Sequence, residues 1–77
     1  MNHNSASSRF VVCLKNEGNE ASLIVRKVYR TLADAKASKE DLIRVIDESG
    51  EDYLYPRDYF ASVRLPKRVG ELFVAAG

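Results

Sequence analysis

Pro56 interrupts a strand-like stretch of aromatic and β-branched residues, and this position constrains the fold more than any other. Proline lacks the N–H that a central strand must donate, and its ring holds φ at about −65°. A strand that contains Tyr53 and Tyr55 must therefore end at Pro56. The chain then has to turn within a few residues, so that Phe60 and Val63 can return to an apolar core.

The other apolar runs are also short and are separated by turn-forming residues, which predicts a mainly β fold. Gly50 lies where a tight turn requires a positive φ, and Gly18 and Asn19 suit the loop after the first strand. The second run alternates imperfectly, which predicts a bulge or burial on both faces. We predict a helical turn within residues 33–41 and five strands, over residues 9–14, 23–32, 42–47, 52–55 and 60–65.

The ends of the chain differ from this central part. Residues 1–8 are polar and contain no apolar core residue, so we predict a disordered tail before a domain that spans residues 9–65. Residues 66–77 read as an amphipathic helix with Pro66 at its first position, and Gly70 weakens it. Its apolar stripe is predicted to pack on its own domain, which favours a monomer or a weak dimer; it comprises Val69, Leu72, Phe73 and Ala76.

Charge and cysteine content exclude several classes of function. The chain has 77 residues with 12 basic and 11 acidic side chains, so its net charge of +1 gives no global field that attracts nucleic acid or membranes. Cys13 is the only cysteine and cannot form an internal disulfide. No stretch is apolar enough for a signal peptide or a membrane span, and we expect a cytoplasmic location without membrane association.

One segment of the chain resembles a known family. Residues 42–63, LIRVIDESGEDYLYPRDYFASV, resemble the C-terminal half of a Src-homology-3 domain. In that family a strand leads into a tight distal turn, and the next strand ends before a proline. A single 3₁₀ turn with the pattern Pro-Ser-Asn-Tyr-Val follows, and a further apolar residue lies three positions on. Here Gly50, Tyr55 and Val63 take the corresponding places around the pentapeptide that begins at Pro56.

This resemblance implies a five-stranded SH3-like barrel with a short C-terminal helix, a scaffold that small bacterial proteins also use. It further implies that Pro56 and Tyr59 help to line a groove for peptides. The chain contains no tryptophan, the principal residue with which that family holds proline-rich peptides. We therefore predict a protein or peptide partner whose sequence need not be rich in proline.

Catalytic chemistry finds no support in the residue pattern. Cys13 lies within an apolar run, and the only histidine, His3, lies in the predicted tail, so no base activates the thiol and no set of zinc ligands exists. The acidic residues around Gly50 are predicted to be a solvated turn rather than a calcium loop or a pair of catalytic carboxylates; they are Asp47, Glu48, Glu51 and Asp52. We predict a non-catalytic protein without a cofactor.

Two binding surfaces remain. Tyrosine combines apolar area with a hydroxyl at low entropic cost, so the first candidate is a protein- or peptide-binding surface of Tyr53, Tyr55, Pro56 and Tyr59. Tyr53 and Tyr55 share one face of a strand, and the pattern leaves open whether that face is core. The alternative is a nucleic-acid-binding accessory protein that uses Arg26, Lys27 and Arg30, for which Tyr29 offers a stacking ring or else packs in the core.

Overall fold

The computed structural model describes residues 9–76, and the predicted tail over residues 1–8, with His3, lies outside them. The fold is mainly β, as predicted, and residues 9–76 also contain two α-helices and one 3₁₀ helix. The strands are β1 (Arg9–Cys13), β2 (Val28–Leu32), β3 (Leu42–Ile46), β4 (Asp52–Pro56) and β5 (Phe60–Val63). The helices are α1 (Ala35–Lys39), the 3₁₀ helix (Arg57–Tyr59) and α2 (Lys67–Ala76).

The five strands form one antiparallel sheet in the order β4-β3-β2-β1-β5. Within residues 9–76, β4 and β5 do not pair with each other, so each is an edge of the sheet. The predicted closure into a barrel is therefore not observed. The 3₁₀ helix after Pro56 carries the chain away from β4, and β5 then pairs with β1 on the opposite side of the sheet, which leaves β4 with β3 as its one neighbour in the described residues.

The sheet bends around a single core to which every strand contributes. Alternation along each strand brings side chains of one parity to the inner face. The fully buried members are Cys13, Leu23 and Val45, with no exposed surface. The remaining members of the same cluster are Val11, Tyr29, Tyr55 and Phe60.

The prediction of a strand over residues 23–32 is wrong in its first half. Residues before Val28 form turns, and Arg26 adopts a positive φ of 74°. The Arg26 N–H donates to the Cys13 carbonyl at 2.7 Å, which joins the turn to β1. Leu23 is drawn into the core by this path, and its burial outweighs the strand propensity of the segment.

The C-terminal helix packs on its own sheet, as predicted, but only part of the predicted stripe makes the contact. The Phe73 ring lies 5.1 Å from that of Phe10 on the outer face of β1. A Cβ placed at Gly70 would lie 3.3 Å from Phe10 Cε2, so Gly70 permits the close approach. Val69 and Leu72 are 39% and 67% exposed, so this part of the predicted stripe faces away from the sheet.

The start of α2 differs by one residue from the prediction. The helix begins at Lys67, and the Pro66 carbonyl accepts the Gly70 N–H at 3.0 Å. Pro66 is therefore the capping residue and not the first helical residue. Neither α1 nor α2, the α-helices of the described chain, is long and apolar enough to cross a membrane.

The turn after Pro56 has the predicted form. Pro56 pairs with Leu42 at the end of β4, and the chain forms a single 3₁₀ turn over Arg57–Tyr59. The Phe60 N–H donates to the Arg57 carbonyl, and the Phe60 side chain is buried. Gly50 has the positive φ expected of the preceding turn, at 87°.

Candidate binding surface on strand β4

Tyr55 is a core residue rather than a surface residue. It is 5% exposed, and its ring packs edge-on against Phe60 with the centroids 6.2 Å apart. Its hydroxyl donates to Asp47 Oδ2 at 2.5 Å. Ser49 donates to Oδ1 of the same carboxylate through Oγ at 2.6 Å and through its backbone N–H at 2.9 Å. Tyr55 therefore braces the turn between β3 and β4 and offers no area to a partner.

These hydrogen bonds decide the ionisation of the buried pair. Burial opposes the charge on Asp47, but the hydrogen bonds from Ser49 and Tyr55 outweigh it and keep the pKa of that carboxyl below its usual value. Burial raises the pKa of the Tyr55 hydroxyl, and the adjacent Asp47 carboxylate raises it further. Asp47 is thus an ionised, paired carboxylate inside the fold at neutral pH.

Tyr53 is the exposed tyrosine of β4. Half of it is exposed, and its hydroxyl donates to Glu51 Oε1 at 3.2 Å. Its neighbour Leu54 is 42% exposed and points to the opposite face of the strand. An aromatic and an aliphatic side chain therefore flank one free edge, and Leu54 is a surface residue that the sequence analysis did not single out.

The outward-facing main-chain groups of β4 can be assigned from the turn. The Asp47 N–H donates to the Glu51 carbonyl at 3.1 Å, so these two residues are a hydrogen-bonded pair. Hydrogen-bonded and non-hydrogen-bonded pairs alternate along an antiparallel ladder. The pair Arg44 and Leu54 is then non-hydrogen-bonded, and the N–H and C=O of Leu54 point away from β3.

Asp52, the charged residue within β4, is already paired. Arg44 Nη1 lies 2.9 Å from Asp52 Oδ2, and Arg44 Nε lies 2.9 Å from Asp34 Oδ2. The hydrogen bond from the Ala37 N–H, followed by that from Arg44, lowers the pKa of Asp34. Asp52 therefore brings no unpaired charge to the edge. The main feature of β4 that limits the addition of another strand is Pro56, at the end of β4.

Pro56 and Tyr59 lie at the corner after β4. Both are half-buried, and Tyr59 packs against the core from the 3₁₀ helix. The Tyr59 hydroxyl donates to the Glu17 carbonyl at 2.8 Å, and Lys15 Nζ lies 5.9 Å from the ring centroid. Tyr59 thus fastens the corner to the loop after β1, whereas the hydroxyl of Tyr53 bonds to Glu51 in the turn just before β4.

The three residues of the alternative nucleic-acid surface have different environments. Lys27 Nζ lies 2.6 Å from Glu48 Oε2 and 5.5 Å from the ring centroid of buried Tyr29. Arg26 is exposed in its turn, whereas Arg30 is half-buried, and its Nε has no hydrogen-bond partner within the described residues. Tyr29 is unavailable for stacking on a base, and nucleic-acid binding stays a prediction.

The Glu48 carboxylate connects Lys27 with Tyr29. The Tyr29 hydroxyl donates to Glu48 Oε2 at 2.5 Å, and the Ile24 N–H donates to the same hydroxyl at 2.8 Å. The hydrogen bond from Lys27 is the main cause that lowers the pKa of the Glu48 carboxyl, and the hydrogen bond from Tyr29 lowers it further. Burial is the main cause that raises the pKa of the Tyr29 hydroxyl, and the hydrogen bond to Glu48 raises it further. The cluster links the β1–β2 loop to the β3–β4 turn.

Cys13 has the surroundings of a packing residue. It is fully buried, and its thiol donates to the Lys15 carbonyl at 3.2 Å. Burial raises the pKa of the thiol, which disfavours the thiolate. Between residues 9 and 76, no three side chains of the histidine, cysteine, aspartate and glutamate types are grouped so as to hold a metal ion.

Comparison with known proteins leaves function to be argued from this geometry. A scan against protein-family models matches no family, and searches of curated proteins and of solved structures find no match.

Proposed function

We propose that this chain is a non-catalytic module that binds an extended segment of another protein along the free edge of β4. The observation that carries the proposal is the open strand with Tyr53 and Leu54 exposed on its two faces. A strand added to such an edge gains main-chain hydrogen bonds for affinity and side-chain contacts for specificity. Of the tyrosine and proline surface predicted from the sequence, Tyr53 and Pro56 remain on this edge, Leu54 is added to them, and Tyr59 braces the corner.

The edge offers a short and defined set of main-chain partners. Leu54 supplies one N–H and one C=O, and the same alternation turns the main chain of Asp52 outward. Pro56 has no N–H, so the added segment can bond there only to a carbonyl. A partner segment of about five residues matches β4, with apolar side chains toward Tyr53 on one face and toward Leu54 on the other.

We infer that the scaffold is of the Src-homology-3-like type. The support is local and lies in the path from β3 to β5. A tight turn with Gly50 is followed by a strand that ends at Pro56, by one 3₁₀ turn, and by the return of Phe60 to the core. The sheet differs from a closed barrel of that type in the unpaired β4 edge, and this edge is where we place the bound segment.

The proposal is tested with selected peptides. Random twelve-residue peptides displayed on phage are selected on the immobilised protein, and the recovered peptides are titrated by fluorescence anisotropy. We expect recovered peptides to be extended and to alternate apolar and polar residues. Their binding is expected to fall more than tenfold in Leu54→Lys, which places a charge on the edge, and in Leu54→Pro, which removes the outward N–H.

The matched control is Leu72→Lys, because Leu72 is an exposed leucine on α2, away from the sheet edge. This variant is expected to bind like the unmodified protein. Amide spectra of each variant establish that the sheet is retained. Selection that enriches no peptide, or peptides that bind equally to the Leu54 variants and the control, contradicts the proposal.

A further inference from the structure

A cleft of about 440 Å³ opens between β1, β2, β3, β5 and α1. None of the five β4 residues lines it, so it is separate from the edge described above. Its buried lining residues include Val11 and Phe60 from the inner face of the sheet, together with Thr31. Its exposed lining residues include Arg9 and Arg57. The cleft therefore has an apolar interior and a basic opening.

The charges that line this cleft do not cancel. They are three arginines and one aspartate, and the aspartate, Asp34, is paired with Arg44 at 2.9 Å. Arg9 and Arg57 form no ion pair with a carboxylate within residues 9–76. Two arginines that line this partly apolar cleft thus have no counter-charge from the described chain.

Hydrogen bonds hold both the side chain and the backbone of Arg57. Its Nη2 donates to the carbonyl and the Oγ of Ser38, both at 2.8 Å, and its backbone N–H donates to the Asp41 carbonyl at 2.9 Å. A guanidinium carries five N–H donors, so donors remain beyond those used at Ser38. A fixed arginine loses little entropy when it binds a carboxylate through two parallel hydrogen bonds.

From this geometry we infer that the cleft is a binding site for a small amphipathic carboxylate. The acid group lies between Arg9 and Arg57, and the apolar body lies against Val11 and Phe60. A volume of 440 Å³ equals that of about 15 water molecules at roughly 30 Å³ each. A chain of about ten non-hydrogen atoms therefore fits with room for water, and unbranched eight-carbon octanoate is a suitable probe.

Sodium octanoate is titrated into the ¹⁵N-labelled full chain in a low-salt buffer without carboxylate or phosphate. We expect saturable shifts of the Thr31, Ala35 and Ser62 amides, with a dissociation constant of about 1 mM or lower. Acetate lacks the apolar body, and octan-1-ol and octylamine lack the negative charge. Each of these three probes is expected to bind at least about tenfold more weakly than octanoate.

Two substitutions locate the acid group. The Arg9 side chain makes no hydrogen bond or ion pair within the described residues, so Arg9→Met removes its charge without breaking one. Arg57→Met removes the fixed guanidinium and is expected to weaken octanoate binding about tenfold. Arg57→Lys keeps a charge and gives an intermediate loss. The matched control, Arg64→Met, alters an exposed arginine that does not line the cleft and is expected to leave binding unchanged.

Three results overturn the inference. The first is a titration in which the cleft amides shift linearly, without saturation, up to 20-fold above the expected dissociation constant of about 1 mM. The second is equal binding of octanoate and octan-1-ol, which shows that the arginines do not bind the carboxylate. The third is unchanged octanoate affinity in both Arg9→Met and Arg57→Met.

Discussion

The hydrogen bond between Tyr55 and Asp47 provides a sharp test of how the core is held. Tyr55→Phe removes the hydroxyl that donates to Asp47 Oδ2 at 2.5 Å and leaves the rest of the ring in place. The two Ser49 donors bind the other oxygen, Oδ1, and cannot replace it. A buried carboxylate oxygen thus loses its hydrogen bond, which costs about 1.5–3 kcal/mol for a charged group.

That cost translates into a large change in melting temperature. In a domain of this size, 1 kcal/mol shifts the melting temperature by roughly 4–8 °C. A loss of about 2 kcal/mol therefore predicts a decrease of roughly 8–16 °C. Thermal unfolding followed by circular dichroism measures this decrease, and urea unfolding measures the free energy of unfolding directly.

The difference between the two proteins also depends on pH. Because the folded pKa of Asp47 is lowered, its contribution to stability is present above the ordinary aspartate pKa and is lost as the pH falls through the folded pKa. Tyr55→Phe brings the folded pKa back toward the ordinary value of about 3.9. The stability difference is therefore expected to be full above about pH 5 and to shrink below about pH 4.

Tyr53→Phe is the matched control, since it removes an exposed tyrosine hydroxyl from the same strand. Its melting temperature is expected to equal that of the unmodified protein. Equal melting temperatures for Tyr55→Phe and the unmodified protein would refute the reasoning. A stability difference that stays constant from pH 7 to about pH 3 would also refute it, because Asp47 would then play no part.

Three further predictions concern the cap, the thiol and the C-terminal helix. Asp34→Ala removes the side chain that caps α1 at the Ala37 N–H, so it is expected to lower the melting temperature more than Asp34→Asn, which retains a cap. Cys13 is expected to resist Ellman's reagent in the native protein and to react fully in urea, and rapid native reaction would contradict its burial. Gly70→Leu is expected to destabilise the protein by about 1–3 kcal/mol through collision with Phe10, measured in urea against the exposed control Val69→Ala.

The segment from Gly50 to Phe60 was predictable because its backbone constraints are local. A glycine at positive φ, a proline that ends a strand and a buried aromatic residue after a short turn each act within a few residues. The predicted strands other than the second also agree with the structure to within two residues at each end. Local chemistry alone limits these elements to few alternatives.

The second strand was overpredicted because β propensity describes a strand that has a neighbour. Residues 23–27 have strand composition, but the path that buries Leu23 and bonds Arg26 to the Cys13 carbonyl requires turns. The packed face of α2 was only partly predicted, because Phe73 packs on the sheet whereas Val69 and Leu72 are exposed. Gly70 lowers helix propensity, yet its missing side chain lets the helix approach Phe10.

The division of the tyrosines also required the assembled fold. Tyr53 and Tyr55 have the same parity on β4, and both lie on the inner side of the sheet. Tyr55 is covered by Phe60 and bonded to Asp47, whereas Tyr53 lies at the end of the edge strand and remains half exposed. Alternation assigns a side of the strand, but only the neighbouring strands decide how far that side is covered.

The amino-acid sequence by itself determined a mainly β chain, the turn at Gly50, the end of a strand at Pro56 and a C-terminal helix. These features depend on φ preferences and on hydrophobic period, which are properties of a few neighbouring residues. The open β4 edge, the buried Tyr55–Asp47 pair and the cleft that Arg9 and Arg57 line were decided by the tertiary structure. Each depends on contacts between residues that are far apart in the chain or lie on different strands, and no local preference encodes such a contact.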